Sequence, residues 1–244
     1  MKIRGERECQ ECGTRWSYYE TGSIGCPACG SLHSVGTDDR TEHTDQQVAF
    51  DLTTVRSDID DASIDDLADR ARDRCREYVR RRGFINAGEL CDLDETYLTA
   101  SELHHVADIV AREFDLEERE ELYFLALLRD GDEGERPPPD DVPTTLRAGR
   151  GIAYANAVRE YRRDVRTWID VHDRDLAAGE RSTLETLGEH VTRIRMLEGD
   201  VSPRTAERLI EATRDLADGL RGDELALGRA QDRLAALEGA DERG

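Results

Sequence analysis

Lysine is nearly missing from this chain: of 34 basic residues only Lys2 is a lysine, and the others are arginines set against 55 acids. That excludes a phosphate loop of the G-K-[ST] type. Gly149-Arg150-Gly151, glycine-rich at first sight, has neither that lysine nor a preceding strand. Aromatic residues make up only 5%, and a hydrophobic fraction of 37% faces a charged fraction of 36%, which implies a thin core under a heavily solvated surface. Long apolar runs are missing too. The longest, residues 122–128, is far too short to span a bilayer, and Met1-Lys2-Ile3-Arg4 enters charged sequence without the apolar stretch of a secretion signal. The expectation is a soluble, cytoplasmic protein with no membrane association. There thiols stay reduced, and paired cysteines read as metal ligands rather than disulfides.

The net charge of −21 combines with the lysine deficit in two ways. Carboxylates keep a surface hydrated and self-repelling in molar salt, so the composition fits a protein adapted to internal brine. An acidic protein from a high-GC genome would also favour arginine over lysine. Near 1 M salt the Debye length is roughly 3 Å, so acidity neither supports nor excludes nucleic-acid binding there.

The charge is unevenly distributed. Residues 1–36 balance Lys2, Arg4, Arg7 and Arg15 against Glu6, Glu8, Glu11 and Glu20, so the whole excess lies in residues 37–244. This neutral segment carries Cys9-Gln-Glu-Cys12-Gly13 and Cys26-Pro-Ala-Cys29-Gly30, a C-x₂-C-x₁₃-C-x₂-C pattern. Four thiolates suit one tetrahedral Zn²⁺ in a closed structural site, with no coordination position open for catalysis. Rubredoxin-type iron uses the same donors. A segment this short cannot bury enough apolar surface to fold alone, so the metal is expected to supply its folding energy. Residues 14–19 read as a strand, 20–23 as a turn and 24–25 as the return strand. Strand alternation puts Trp16 and Tyr18 on one face and Tyr19 on the other. These three rings are candidate partner-binding residues, for protein or for stacked bases, although at least one must form the ribbon's own core.

Beyond a polar connector at 37–62 the apolar period becomes helical. A first helical region, 63–130, opens at Ser63 with Asp65 and Asp66, closes its first helix near Arg82–Gly83, and continues with helices over 94–114 and 116–129. An acidic, proline-rich linker at 131–143 holds four of the six prolines and reads as the clearest boundary. A second helical region, 144–238, begins with a long helix over 144–178. Three shorter helices follow, opened by a Ser182/Glu185 capping box, by Ser202-Pro203 and by Asp223. Residues 239–244 read as a frayed tail. The fold class is therefore mainly α: a small N-terminal β zinc ribbon followed by antiparallel helical bundle or hairpin regions.

Other candidate chemistry is thin. Glu102-Leu-His104-His105 contains one E-x-x-H, but the second copy and the extra carboxylates of a di-iron bundle are missing. Cys75 and Cys91 lack knuckle spacing and read as small buried hydrophobes. Arg159, Arg162, Arg163 and Arg166 would form a basic stripe, but Glu160, Asp164 and Asp170 interleave, so a solvated helix face is expected. No nucleophile–base signature is present, and neither an enzyme nor a small-molecule substrate is indicated.

The motif CQECGTRWSYYETGSIGCPACGS resembles the TFIIB-type zinc ribbons of archaeal transcription factors and RNA polymerase subunits. The whole chain is similar to a group of haloarchaeal proteins that carry such a ribbon before an acidic helical body. The resemblance implies Cys9, Cys12, Cys26 and Cys29 as ligands, and it implies transcription-related partners. The body has no basic, duplicated cyclin-like repeats, which speaks against promoter binding. Taken together, the sequence suggests a non-catalytic adaptor whose ribbon docks on a protein complex. The alternatives are a nucleic-acid-binding regulator, or a structural helical protein capped by its ribbon.

Overall fold

The computed structural model describes residues 1–113 and 115–241; Phe114, the expected end of the second helix, and 242–244 of the expected tail lie outside them. The chain is mainly helical with a small N-terminal sheet region. It opens with β1 (Lys2–Ile3), β2 (Glu6–Cys9), β3 (Arg15–Ser17), the single helical turn α1 (Tyr18–Thr21), β4 (Ser34–Gly36) and β5 (Thr41–Glu42). β2 is the middle strand, antiparallel to β3 with Glu8 opposite Arg15, and to β4 with Cys9 opposite Ser34. The expected hairpin of 14–19 with 24–25 is therefore corrected. The chain turns helical at Tyr18, no return strand forms at 24–25, and β2 and β4 supply the pairing. With the strand ending at Ser17, alternation no longer sets the faces of Tyr18 and Tyr19.

The connector at 37–62 is a clamp with structure of its own. β5 pairs with β1, and the amino terminus of Met1 bonds the Glu42 carboxylate. Thr44 then enters the body: its hydroxyl donates to Asp164 Oδ2 (2.7 Å) and accepts from the backbone N–H of Ile85 (3.0 Å). Asp164 also accepts from the N–H of Phe84 at 2.9 Å. The next residue, Asp45, is ion-paired with Arg82. The ribbon is thus fastened to the helices by a buried carboxylate and short backbone bonds.

The body comprises α2 (Thr53–Arg56), α3 (Ile64–Arg81), the hairpin β6 (Ile85–Asn86) and β7 (Glu89–Leu90), α4 (Glu95–Val110) and α5 (Glu118–Asp130). It continues through α6 (Arg147–Val171), α7 (Ala178–Met196), α8 (Pro203–Leu220) and α9 (Ala226–Asp241). Ser63 and Ser202 cap α3 and α8 as expected, accepting from the N–H groups of Asp66 and Thr205. The long helix ends at Val171 rather than 178, with Asp173 at a φ of 48°. α7 starts four residues before the expected Ser182, because Glu180 reaches back to the Ala177 N–H at 2.8 Å. Ser182 and Glu185 therefore lie inside it. The last helix runs through Asp241, so the tail expected to fray from 239 is helical that far.

α4 and α6 are buried on several faces and form the centre of the body. One core joins the end of α3, β6, β7, α4 and α6 to α7, α8 and α9; a second packs α2, α3, α4 and α5 against Val142 and Leu146. Helices from before and after 131–143 thus share a core, and that segment is a packed strap rather than a spacer. Two short 3₁₀ turns shape it, Gly131–Glu133 and Pro139–Asp141. Gly151 lets α6 touch the turn after α7: a Cβ there would sit 2.0 Å from the Gly199 carbonyl oxygen.

Candidate metal centre

Two matching turns present the cysteines. In the first, Cys9 N–H donates to the Thr14 carbonyl (2.9 Å) and Gly13 N–H to the Cys9 carbonyl (3.0 Å). In the second, Cys26 N–H donates to Ser31 (2.8 Å) and Gly30 N–H to Cys26 (2.9 Å). Gly13 and Gly30 hold φ values of 72° and 73°, which close the turns at no Cβ cost. The four Sγ atoms then lie within 4.8 Å of one another, with Cys9–Cys29 and Cys12–Cys26 each at 3.6 Å.

A tetrahedron built on metal–sulfur bonds of ~2.3 Å has edges of about 3.8 Å, so these thiols fit one ion with little adjustment. Each turn contributes one buried cysteine (Cys9, Cys26) and one exposed (Cys12, Cys29). The hydroxyl and N–H of Thr14 pull the Cys12 thiol down to about 6. At Cys29 the N–H of Ser31 favours the thiolate, but the crowded neighbouring sulfurs and burial outweigh it and push the thiol up to about 12. Four thiolates cannot share this volume without a cation, which is the electrostatic signature of a metal centre. Among the described residues this is the one group of His, Cys, Asp and Glu side chains placed to hold an ion.

The three candidate partner-binding rings have different fates. Trp16 is buried against Cys9 and Cys26, and its indole N–H donates to the Ser23 carbonyl at 2.9 Å. It is the ring that forms the ribbon's core. Tyr19 lies over Gly5, where a Cβ would collide with the ring at 1.8 Å, and its hydroxyl is 2.5 Å from Thr41 Oγ1. Both Tyr18 and Tyr19 pack on His43, with centroids 6.0 and 5.0 Å away. Beside Met1, the ribbon instead exposes the large apolar side chains Ile24, Leu32 and Val35, at 51%, 68% and 45% exposure. Ser34 ties this group together by donating to the Ile24 carbonyl at 3.0 Å. In the sequence these aliphatics sit among Ser, Gly and His with no period to mark a face, whereas the aromatics draw attention.

The remaining sequence candidates serve the body. Cys75 is buried, which pushes its thiol up, and Cys91 is half-buried with the same direction of shift. Glu102 is fully buried and bonded to Arg150, Tyr123 and Tyr154, not aimed at a metal. His104 Nδ1 lies 3.3 Å from the Arg72 carbonyl, and His105 Nε2 lies 3.4 Å from the Asn156 amide.

Burial, with His104 alongside, presses His105 down to about 4, so it is neutral when folded. An unfolded histidine protonates near pH 6.5, so as pH falls below that value the unfolded state binds the proton first and the fold loses stability. The loss saturates near pH 4 at about 3 kcal/mol. His105→Gln is therefore expected to flatten the decline in urea midpoint between pH 6.5 and 4. Parallel curves for the variant and the wild type would refute the assignment.

No curated protein and no solved structure matches the chain. Residues 1–234, spanning both ribbon and helices, match one family model, and the chain belongs to that family, the family of unknown function DUF7117.

Proposed function

We propose that the protein is a non-catalytic adaptor whose metal ribbon, loaded with one structural Zn²⁺, docks on a protein partner. The observation that carries this reading is the set of exposed aliphatics Ile24, Leu32 and Val35, displayed on the loops around the second cysteine pair and on β4. Isolated exposed aliphatics are ordinary, but three on one small neutral module supply the apolar centre that protein interfaces use. Trp16 serves this reading indirectly, as the ring that holds the loops in place. The resemblance to TFIIB-type ribbons makes a transcription complex the natural place to look.

The test is affinity purification of the tagged protein from its native host, with and without nuclease, beside two variants. One is Cys9→Ser/Cys12→Ser, which removes the metal site. The other is Ile24→Asp/Leu32→Asp, which keeps it. Complex subunits retained by the wild type and lost by both variants, regardless of nuclease, are the expected result. Recovery that depends on nucleic acid would replace this reading with a nucleic-acid-binding one. Identical recovery from all three proteins would leave the ribbon as a cap on a self-contained helical protein.

A further inference from the structure

The arginines of α6 form a cationic groove, because the acids that interleave them in sequence engage only Arg159 and Arg163. Asp164 is buried at 1% exposure: its Oδ2 accepts from Thr44 and the Phe84 N–H, and its Oδ1 meets Arg163 Nε at 3.3 Å, so of the groove arginines it engages Arg163 and leaves Arg162 and Arg166 without it. Asp170 is exposed but lies outside the groove. The groove, about 540 Å³, is lined by Arg159, Glu160, Arg162, Arg163, Arg166 and Thr167: four guanidiniums to one carboxylate, on a chain of net charge −21. Glu160 is engaged by Arg159 at 2.7 Å and by Arg163 at 2.5 Å.

Arg162 is the unusual member. It is half-buried, its Nε donates to the Leu184 carbonyl at 3.0 Å, and among the described residues no carboxylate bonds it. Glu185 and Glu189 of α7 line the adjoining groove, which Arg162 also borders, without pairing with it. The guanidinium rests in a notch made by Gly188, where a Cβ would come within 2.3 Å of Nη2. Burial, then the nearby Arg166, lower its affinity for its proton, the opposite of what an ion pair does. A half-buried guanidinium with unused donors, seated by a glycine and beside three more arginines, is a place prepared for an anion.

We propose that this groove binds a compact phosphorylated ligand, with Arg162 as the seated anchor and Arg159, Arg163 and Arg166 as the outer contacts. Convergent forks on adjacent helical turns, about 5.4 Å apart, suit an ion with several charged oxygens better than a single carboxylate. A long nucleic acid fits less well. The basic patch covers little more than two turns, and a strand leaving it would run over an acidic surface.

Titration calorimetry with sodium pyrophosphate and inorganic phosphate at low salt tests this on the full chain. The wild type is expected to bind pyrophosphate at one saturable site. Arg162→Gln and Gly188→Ala should each weaken it about tenfold, as loss of one charge-assisted fork does. Arg204→Gln, which removes an exposed arginine paired with Asp140 elsewhere on the surface, should leave binding unchanged. Arg166→Gln and Arg159→Gln, at exposed positions, carry the test if Arg162→Gln does not fold. Equal weakening by Arg162→Gln and Arg204→Gln would reduce the effect to unspecific charge and overturn the site. Tighter binding of a short single-stranded oligonucleotide or an oligo-aspartate peptide than of pyrophosphate would overturn the ligand class. No heat with either phosphate would overturn the proposal outright.

Discussion

Stripping the metal with a strong chelator, or replacing Cys9 and Cys12 by serine, is expected to unfold residues 1–36 while α3 to α9 remain folded. The ribbon has almost nothing else to hold it: its core is Trp16 against Cys9 and Cys26, and its strands are two to four residues long. Apparent zinc-binding energies of ~10–16 kcal/mol in comparable modules exceed anything so small a core provides. The helical body has its own two cores, neither of which includes a ribbon residue; the earliest residue in either is Val48 of the connector. The measurement is elemental analysis for one bound ion per chain, followed by amide NMR of the apo protein. The indole signal of Trp16, bonded to Ser23, should collapse toward the unfolded position, while most helical amides keep their shifts. An apo protein that retains the Trp16 signal would mean that the clamp through Thr44 and Glu42, not the metal, folds the ribbon. A chain without a stoichiometric metal would remove the centre itself.

What could be read from the sequence divides along one physical line. Local signals survived: the C-x₂-C turns with their glycines, the serine caps at Ser63 and Ser202, and the helical periodicity of the body all need only residues close in sequence. Failures arose where a distant partner decided the outcome. Asp164 looks like one more charge on a solvated stripe until Thr44, from 120 positions earlier, turns it inward. Ser182/Glu185 has the spacing of a capping box, but the helix had already been started by Glu180. The strap at 131–143 has the composition of a linker, yet Arg136 stacks on Tyr154 and the Pro137 carbonyl accepts from Arg150 at 2.6 Å. Strand β2 escaped notice because Glu-Arg-Glu before Cys9 carries no apolar alternation; a strand in a sheet this small is held by pairing rather than by a buried face.

The same line explains the least expected feature of the body, an arginine with no exposure in the first turn of α6, whose replacement is expected to cost more than any other single change outside the ribbon. Arg150 donates from Nε to Glu102 Oε1 at 2.8 Å, and both side chains are completely buried. Its remaining nitrogens reach the Pro137 carbonyl at 2.6 Å and Glu207 at 3.4 Å. Tyr123 and Tyr154 donate their hydroxyls to the two oxygens of Glu102, the second at 3.0 Å. Burial, then the Glu102 charge, hold both phenols well above their usual range, so they remain donors. The network joins α4, α5, α6, α8 and the strap at one point. Glycines on either side of Arg150 let its neighbours pack closely, Gly149 against the side chains of Val106 and Ile109 and Gly151 against the backbone of Gly199. Arg150→Met would leave Glu102 charged in the core with only two phenols, at a cost of about 3–5 kcal/mol. Glu102→Gln would strand the guanidinium and cost a similar amount. The double variant removes both charges while Gln keeps an acceptor for the tyrosines, so it should lose less than the two single losses combined, by at least about 1–3 kcal/mol. Urea unfolding of the four proteins measures this cycle. Additive losses within about 0.5 kcal/mol would show that the two charges do not depend on each other. Single losses below about 1 kcal/mol would mean that water reaches the pair.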